Sequence, residues 1–155
     1  MTGPMEIENH EKKWLAATEQ LAAIFSTCSK RKYFAVVLAP NKRVAGVGYN
    51  GSPPGMGHCD DGYCPRATQQ SAPGSQYDNC ISQHAEAGAL LWSDIAVRQG
   101  GTIIVNGPPC MGCAKLIASS GVVRIVCRPD SEYKDFHKVK DFLLSAGIDL
   151  VESNE

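Results

Sequence analysis

The run at residues 102–127 most restricts what this chain can become. An apolar β-branched stretch at 102–106 passes through Gly107-Pro108-Pro109 into Cys110-Met111-Gly112-Cys113. A helical pattern follows at 111–119, closed by Gly121, and a second β-rich run occupies 122–127. Strand, helix and strand in that order build a layered α/β sheet with parallel neighbours. The pattern continues with a helix at 136–146, stopped by Gly147, and a short strand at 148–151.

The first half adds different pieces. Trp14, Leu15, Leu21, Ala22, Ile24 and Phe25 recur at helical spacing within 8–28. Two β-rich runs, 33–39 and 44–49, flank the turn chemistry of Pro40-Asn41-Lys42-Arg43 and predict an antiparallel hairpin. A helix is expected over 82–97, carrying Ala85, Ala89, Leu90, Leu91 and Ile95 and closed by Gly100-Gly101. No repeat or linker divides the chain, so a single domain over 1–155 is expected.

Composition removes several function classes. At 155 residues and 43% hydrophobic content the chain can bury a sizeable core without staples. Fifteen Lys+Arg against sixteen Asp+Glu, with 7% aromatics, supply neither the basic groove nor the stacking surface of a nucleic-acid channel. The longest apolar stretch, 33–39, falls far short of the roughly 20 residues that span a bilayer. Met1-Thr2-Gly3-Pro4-Met5-Glu6 lacks the basic and apolar segments of an export signal, so a cytoplasmic protein is expected, in the host cytoplasm if viral. Seven cysteines in such a setting point to metal binding or catalysis rather than a disulfide framework.

Two short patterns carry the chemistry. His84-Ala85-Glu86 stands at a predicted helix start, and Pro109-Cys110-Met111-Gly112-Cys113 opens another. Cys110 and Cys113, three apart, share a helix face in a first turn where free N–H groups favour thiolates. Two thiolates and one imidazole are three zinc ligands, which leaves a fourth position open for water, as in a catalytic site. Glu86, two residues beyond His84, points away from the metal and is placed to exchange protons beside it. Ahead of both patterns, 50–77 is rich in Gly and Pro and holds Cys59 and Cys64; so long an irregular stretch implies a functional segment.

These residues resemble the His-x-Glu…Pro-Cys-x-x-Cys signature of the zinc-dependent cytidine deaminase superfamily. More narrowly, Gly48-Tyr49-Asn50-Gly51-Ser52-Pro53, His84-Ala85-Glu86, residues 107–115 and Tyr133-Lys134-Asp135 resemble the deoxycytidylate (dCMP) deaminase family in order and spacing. The resemblance implies a three-layer α/β/α fold with a five-stranded mixed sheet. It also implies hydrolytic deamination of dCMP to dUMP and ammonia: zinc hydroxide attacks C4 and Glu86 moves protons to N3 and the leaving amine. By position Asn50 matches the residue that holds the nucleotide, and Tyr133 matches a tyrosine near it. A homo-oligomer and a nucleoside triphosphate effector are further implications.

Some family members carry a second, structural zinc, and Cys28 and Cys59 fall where two of its ligands occur. Cys28, Cys59, Cys64 and Cys80 together would make a four-thiolate site ordering the irregular segment, with His58 an alternative ligand. Cys127 reads as core, and His10 and His137 as surface. Lys30-Arg31-Lys32 reads as a solvated face, with Ser52 and Arg66 as candidate phosphate partners. The sequence departs from the family at Gly88, where Asn is usual, and at Tyr33-Phe34-Ala35, where Val-Gly-Ala is usual. Both departures bear on substrate identity, so deamination of CMP, a modified cytosine nucleotide or another aminated heterocycle is the alternative activity. A zinc-stabilised binding module is the non-enzyme alternative.

Overall fold

A computed structural model describes residues 6–65 and 80–155. Helix α1 (Asn9–Phe25) leads into strands β1 (Phe34–Leu38) and β2 (Val44–Tyr49). Among the described residues, a 3-10 turn at Cys59–Asp61 precedes helices α2 (Ala85–Leu91) and α3 (Ile95–Arg98). Then β3 (Thr102–Val105), α4 (Met111–Ser119), β4 (Arg124–Cys127), α5 (Phe136–Ser145) and β5 (Asp149–Glu152) complete the chain.

The five strands form one mixed sheet in the order β2-β1-β3-β4-β5. β1 runs antiparallel to both neighbours, pairing Phe34 with Tyr49 on one side and Ala35 with Val105 on the other. β3, β4 and β5 are parallel, with Ile103 opposite Ile125 and Ile125 opposite Leu150. The hairpin and the parallel second half are therefore as the sequence predicts.

Alternation along the strands divides the core into two layers. Val36, Leu38, Ile104, Val126 and Val151 face α1 and its fully buried Leu15. Ala35, Val37, Ile103, Val105, Ile125 and Cys127 face the other helices, meeting Ala85, Ala89, Ala114, Ile117, Val139 and Leu143. Helices thus cover both faces, giving the expected α/β/α sandwich. Beneath α1, Glu11 is 1% exposed and accepts two 2.8 Å hydrogen bonds from Arg124 and one of 2.9 Å from the Glu8 N–H.

The expected helix over 82–97 is instead two helices. Ser93 Oγ donates to the Leu90 carbonyl at 3.0 Å, while the Asp94 carboxylate accepts from the Ala96 N–H at 2.7 Å and starts α3. The Arg98 guanidinium then donates to the Leu90 and Ser93 carbonyls, filling acceptors that a continuous helix would use itself. α1 likewise stops at Phe25, because Ser26 turns its hydroxyl to the Asn50 carbonyl.

α2 lies close on the hairpin because β2 presents glycines to it. A Cβ on Gly48 would stand 2.3 Å from the Ala85 carbonyl oxygen and 2.3 Å from the Ala89 nitrogen. A Cβ on Gly88, from the helix side, would meet nothing nearer than 3.6 Å. The close approach therefore depends on Gly48 rather than Gly88, and the family departure at Gly88 creates no steric demand.

Candidate metal centre

Two helix starts meet at the end of the sheet where β3 leaves. His84 is the N-cap of α2 and Cys110 the N-cap of α4, both in extended backbone. His84 Nδ1 lies 3.3 Å from Cys113 Sγ and 3.5 Å from Cys110 Sγ, and the Cys113 N–H points to Cys110 Sγ at 3.5 Å. All three ligand atoms lie within 4.8 Å of one another, the one such group among the described residues. A tetrahedral zinc with bonds of about 2.0–2.1 Å to nitrogen and 2.3 Å to sulfur needs N···S edges of about 3.6 Å. The triangle fits that ion. Cys113 is buried and Cys110 half-buried, while His84 is exposed, which leaves one side of the triangle facing outward.

The electrostatics of the three groups are those of a cation site. Cys110 falls to about 3, through the hydrogen bond from the Cys113 thiol and then that from His84. The Cys113 thiol is driven well above the ordinary range by the same partnership and by burial. His84 is raised, first by its bond to Cys110. The two sulfurs and the imidazole share protons that a divalent cation would displace.

Glu86, in the first turn of α2, is 6% exposed. Burial pushes its carboxyl up to about 7, and it shares a hydrogen bond with the Cys113 thiol. A carboxyl with a pKa near neutrality can both take and give a proton there. It sits beside the ligand triangle without belonging to it, as the spacing predicts.

Asn50 is buried, with its side chain engaged by its own chain. Its Oδ1 accepts from the Tyr33 N–H at 2.8 Å and from the Ser26 hydroxyl, and its Nδ2 donates to the Arg31 carbonyl at 2.6 Å. One amide hydrogen is left over from this set. Tyr133 is half-buried, its ring 5.7 Å from Phe136 in a tilted pair.

Of the five other cysteines, Cys28, Cys64 and Cys80 lie near Cys59. Burial raises the Cys59 thiol to about 12, followed by a hydrogen bond with Cys64 and the charges of Cys64, Cys28 and Cys80. Their sulfurs do not draw within 4.8 Å of one another as a set of three. His58 is exposed and faces Ser52 at 3.2 Å rather than the cysteines. Cys127 is fully buried in β4, and His137 is exposed, as expected; His10 is partly covered and lies 3.3 Å from Glu8. Of the basic run, Arg31 binds Asp130 at 3.2 Å and Lys32 donates to the Ser26 carbonyl at 2.9 Å. Arg66 lies outside the described residues.

The large rings at Tyr33 and Phe34 are accommodated locally. Phe34 is buried 6.2 Å from Phe25. The Tyr33 ring packs against Gly107, where a Cβ would come within 2.5 Å of it, and so touches the loop that carries Cys110. Sequence reasoning passed over Asn106, which precedes that loop; an amide side chain just before Gly-Pro-Pro at a strand end was the available signal.

Comparison with known proteins agrees with this geometry. Residues 8–128 match the family model described as the cytidine and deoxycytidylate deaminase zinc-binding region. The chain is 42% identical over 115 residues to the deoxycytidylate deaminase of Mycobacterium phage D29, covering 71% of this chain and 88% of that one. It is 35% identical over 132 residues to the deoxycytidylate deaminase of Schizosaccharomyces pombe, covering 84% of this chain but 40% of the yeast protein. Among solved structures, the dCMP deaminase of cyanophage S-TIM5 superposes with a TM-score of 0.68 at 21% identity, covering 96% and 100% of the two chains. That phage enzyme has also been seen in complex with dCMP and dUMP.

Proposed function

The chain belongs to the cytidine and deoxycytidylate deaminase zinc-binding family, and on that footing we propose that it hydrolyses dCMP to dUMP and ammonia. The observation that carries the reading is the triangle of His84 Nδ1, Cys110 Sγ and Cys113 Sγ with the buried Glu86 carboxyl against it. Zinc held there supplies a Lewis acid that brings the pKa of a bound water to roughly 7. Glu86 would take one proton from the attacking water and deliver it to N3 of the ring, then take the second from the hydroxyl now on C4 and pass it to the departing amine. Water enters, ammonia leaves, and the carboxyl returns to its starting state. A buried acid beside the ligands has no use in a purely structural zinc module, which favours an enzyme.

Asn50 is assigned to the nucleotide through its remaining amide hydrogen, and Tyr133 to the rim of the site. Cys28, Cys59, Cys64 and Cys80 are assigned to a second zinc whose binding draws their sulfurs together; two zincs per purified chain support this, and one removes it. Ile24, Phe25, Val44, Val47 and Tyr49 are exposed around the edge strand β2, and Leu91 and Trp92 at the end of α2. These faces support self-association. A triphosphate effector and a cytoplasmic setting belong to the same reading; no described helix is long and apolar enough to cross a membrane. The test is ultraviolet difference spectroscopy on dCMP, CMP, deoxycytidine and cytosine at equal concentration. Preference for dCMP is expected. Preference for another cytosine compound would keep the chemistry and place the substrate change at the Tyr33–Gly107 contact.

A further inference from the structure

β1 lies between β2 and β3; β2 ends level with Phe34, the first residue of β1, and β3 ends one residue short of it, opposite Ala35. The last regular pairs at this end are Phe34 with Tyr49 and Ala35 with Val105. The next residue on each flanking strand is an asparagine, Asn50 on one side and Asn106 on the other. Asn106 Oδ1 accepts from the Phe34 N–H at 2.8 Å and its Nδ2 donates to the Lys32 carbonyl at 3.0 Å. Asn50 makes the same pair of bonds one residue earlier, to the Tyr33 N–H and the Arg31 carbonyl. At Asn106 the side-chain amide supplies the acceptor and donor that a further peptide unit of the ladder would supply, while at Asn50 it adds to a last main-chain bond, the Asn50 N–H donating to the Tyr33 carbonyl at 3.2 Å.

These bonds hold the points at which the main chain leaves the sheet, and both departing chains lead to the metal centre, one carrying Cys110 and the other bridged to the neighbour of His84. Past Asn50, Gly51 forms a two-bond bridge with Gln83, the neighbour of His84. Past Asn106, Gly107 packs against the Tyr33 ring and Pro108-Pro109 lead to Cys110. Two prolines with φ held near about −65° transmit the exit direction with little play, and they have no N–H with which to continue the ladder. The position of Cys110 is therefore set where Asn106 grips β1.

We propose that Asn106 is a positioning residue for the metal centre, its side-chain amide fixing the exit of β3 so that Cys110 meets Cys113 and His84. This rests on reading those three residues as zinc ligands. The test uses the full chain with Asn106→Ala, which loses both bonds, and Asn106→Asp, which keeps the acceptor for Phe34 and loses the donor to Lys32. Zinc release into excess chromophoric chelator is timed, and melting is followed with zinc loaded and stripped. The expectation is release about ten-fold faster in Asn106→Ala, the scale seen when groups supporting a metal ligand are removed, with Asn106→Asp between it and the parent. The zinc-loaded melting point falls more than the stripped one, and kcat falls while KM for dCMP changes little. Release at the parental rate in both variants, with equal melting losses loaded and stripped, would reduce Asn106 to a brace of the sheet end and overturn the proposal. Should Asn106→Ala not fold, Asn106→Asp decides alone. A parental chain that binds no zinc overturns the ligand reading itself, and this inference with it.

Discussion

Gly48→Ala offers a graded test of how the hairpin seats α2. The added Cβ would stand 2.3 Å from the Ala85 oxygen and the Ala89 nitrogen and 2.8 Å from the Gly88 carbonyl carbon. Ordinary contact begins near 3.4 Å, so the helix must retreat by about 1 Å. All three obstacles are main chain, and no side chain can rotate away. Overpacking of this kind costs about 1–3 kcal/mol, and a 1 Å misplacement of catalytic groups can cost about 100-fold in rate. α2 carries His84 at its cap and Glu86 in its first turn, so both penalties fall on one substitution. Gly46→Ala should be milder, with nearest approaches of 2.7 Å to the Ala89 oxygen and 2.9 Å to Ser93 Cβ. Gly88→Ala should go the other way: its Cβ meets nothing closer than 3.6 Å, and alanine gains about 1 kcal/mol over glycine inside a helix. Denaturant midpoints and kcat for the three variants give the order 88, parent, 46, 48 in stability, with turnover falling most for Gly48→Ala. Parental turnover and stability in Gly48→Ala would refute the reasoning, and a destabilised Gly88→Ala would refute the helix half of it.

Three further outcomes follow from particular contacts. Glu86→Gln keeps the shape but cannot cycle a proton, so turnover should drop about 10²–10⁴-fold while zinc content, read by metal analysis, stays at the parental level. For Glu11, burial alone would raise the carboxyl, but the Arg124 hydrogen bond and charge hold it below its ordinary value. A depressed carboxyl contributes stability above its unfolded pKa and loses it as pH falls through the folded one, so chemical denaturation should show stability falling below about pH 4.5. Arg124→Ala leaves that carboxylate buried without its partner and should cost about 3–5 kcal/mol at neutral pH, a loss that shrinks as acid protonates Glu11.

Much of this was legible from local rules. The β3–α4–β4 unit, the hairpin and the ligand triad were readable because strand composition, glycine stops and the spacing of Cys110 and Cys113 all act over a few residues. The break at 92–94 was hidden because it depends on Arg98 reaching back to the Leu90 and Ser93 carbonyls, a contact the 3.6 period does not encode. Gly88 drew attention as a departure from a pattern, yet the steric demand lies across the interface at Gly48, visible only once β2 and α2 are juxtaposed. Asn50 and Asn106 look like turn residues in sequence. Their matched grip on β1 emerges from strand order, which places β1 between two chains whose ends fall one residue apart. Cys59 lies near Cys64, Cys28 and Cys80, but these sulfurs form no ligand-distance group, and the turning of His58 toward Ser52 was not anticipated.

The central claim, that this fold holds a zinc-dependent cytosine nucleotide deaminase, is tested most directly by removing and restoring the metal. Loss of dCMP absorbance should stop when zinc is chelated and return when stoichiometric zinc is added, with ammonia released mole for mole with dUMP. Turnover that survives complete zinc removal, or zinc-loaded protein that deaminates no cytosine nucleotide, would contradict the account.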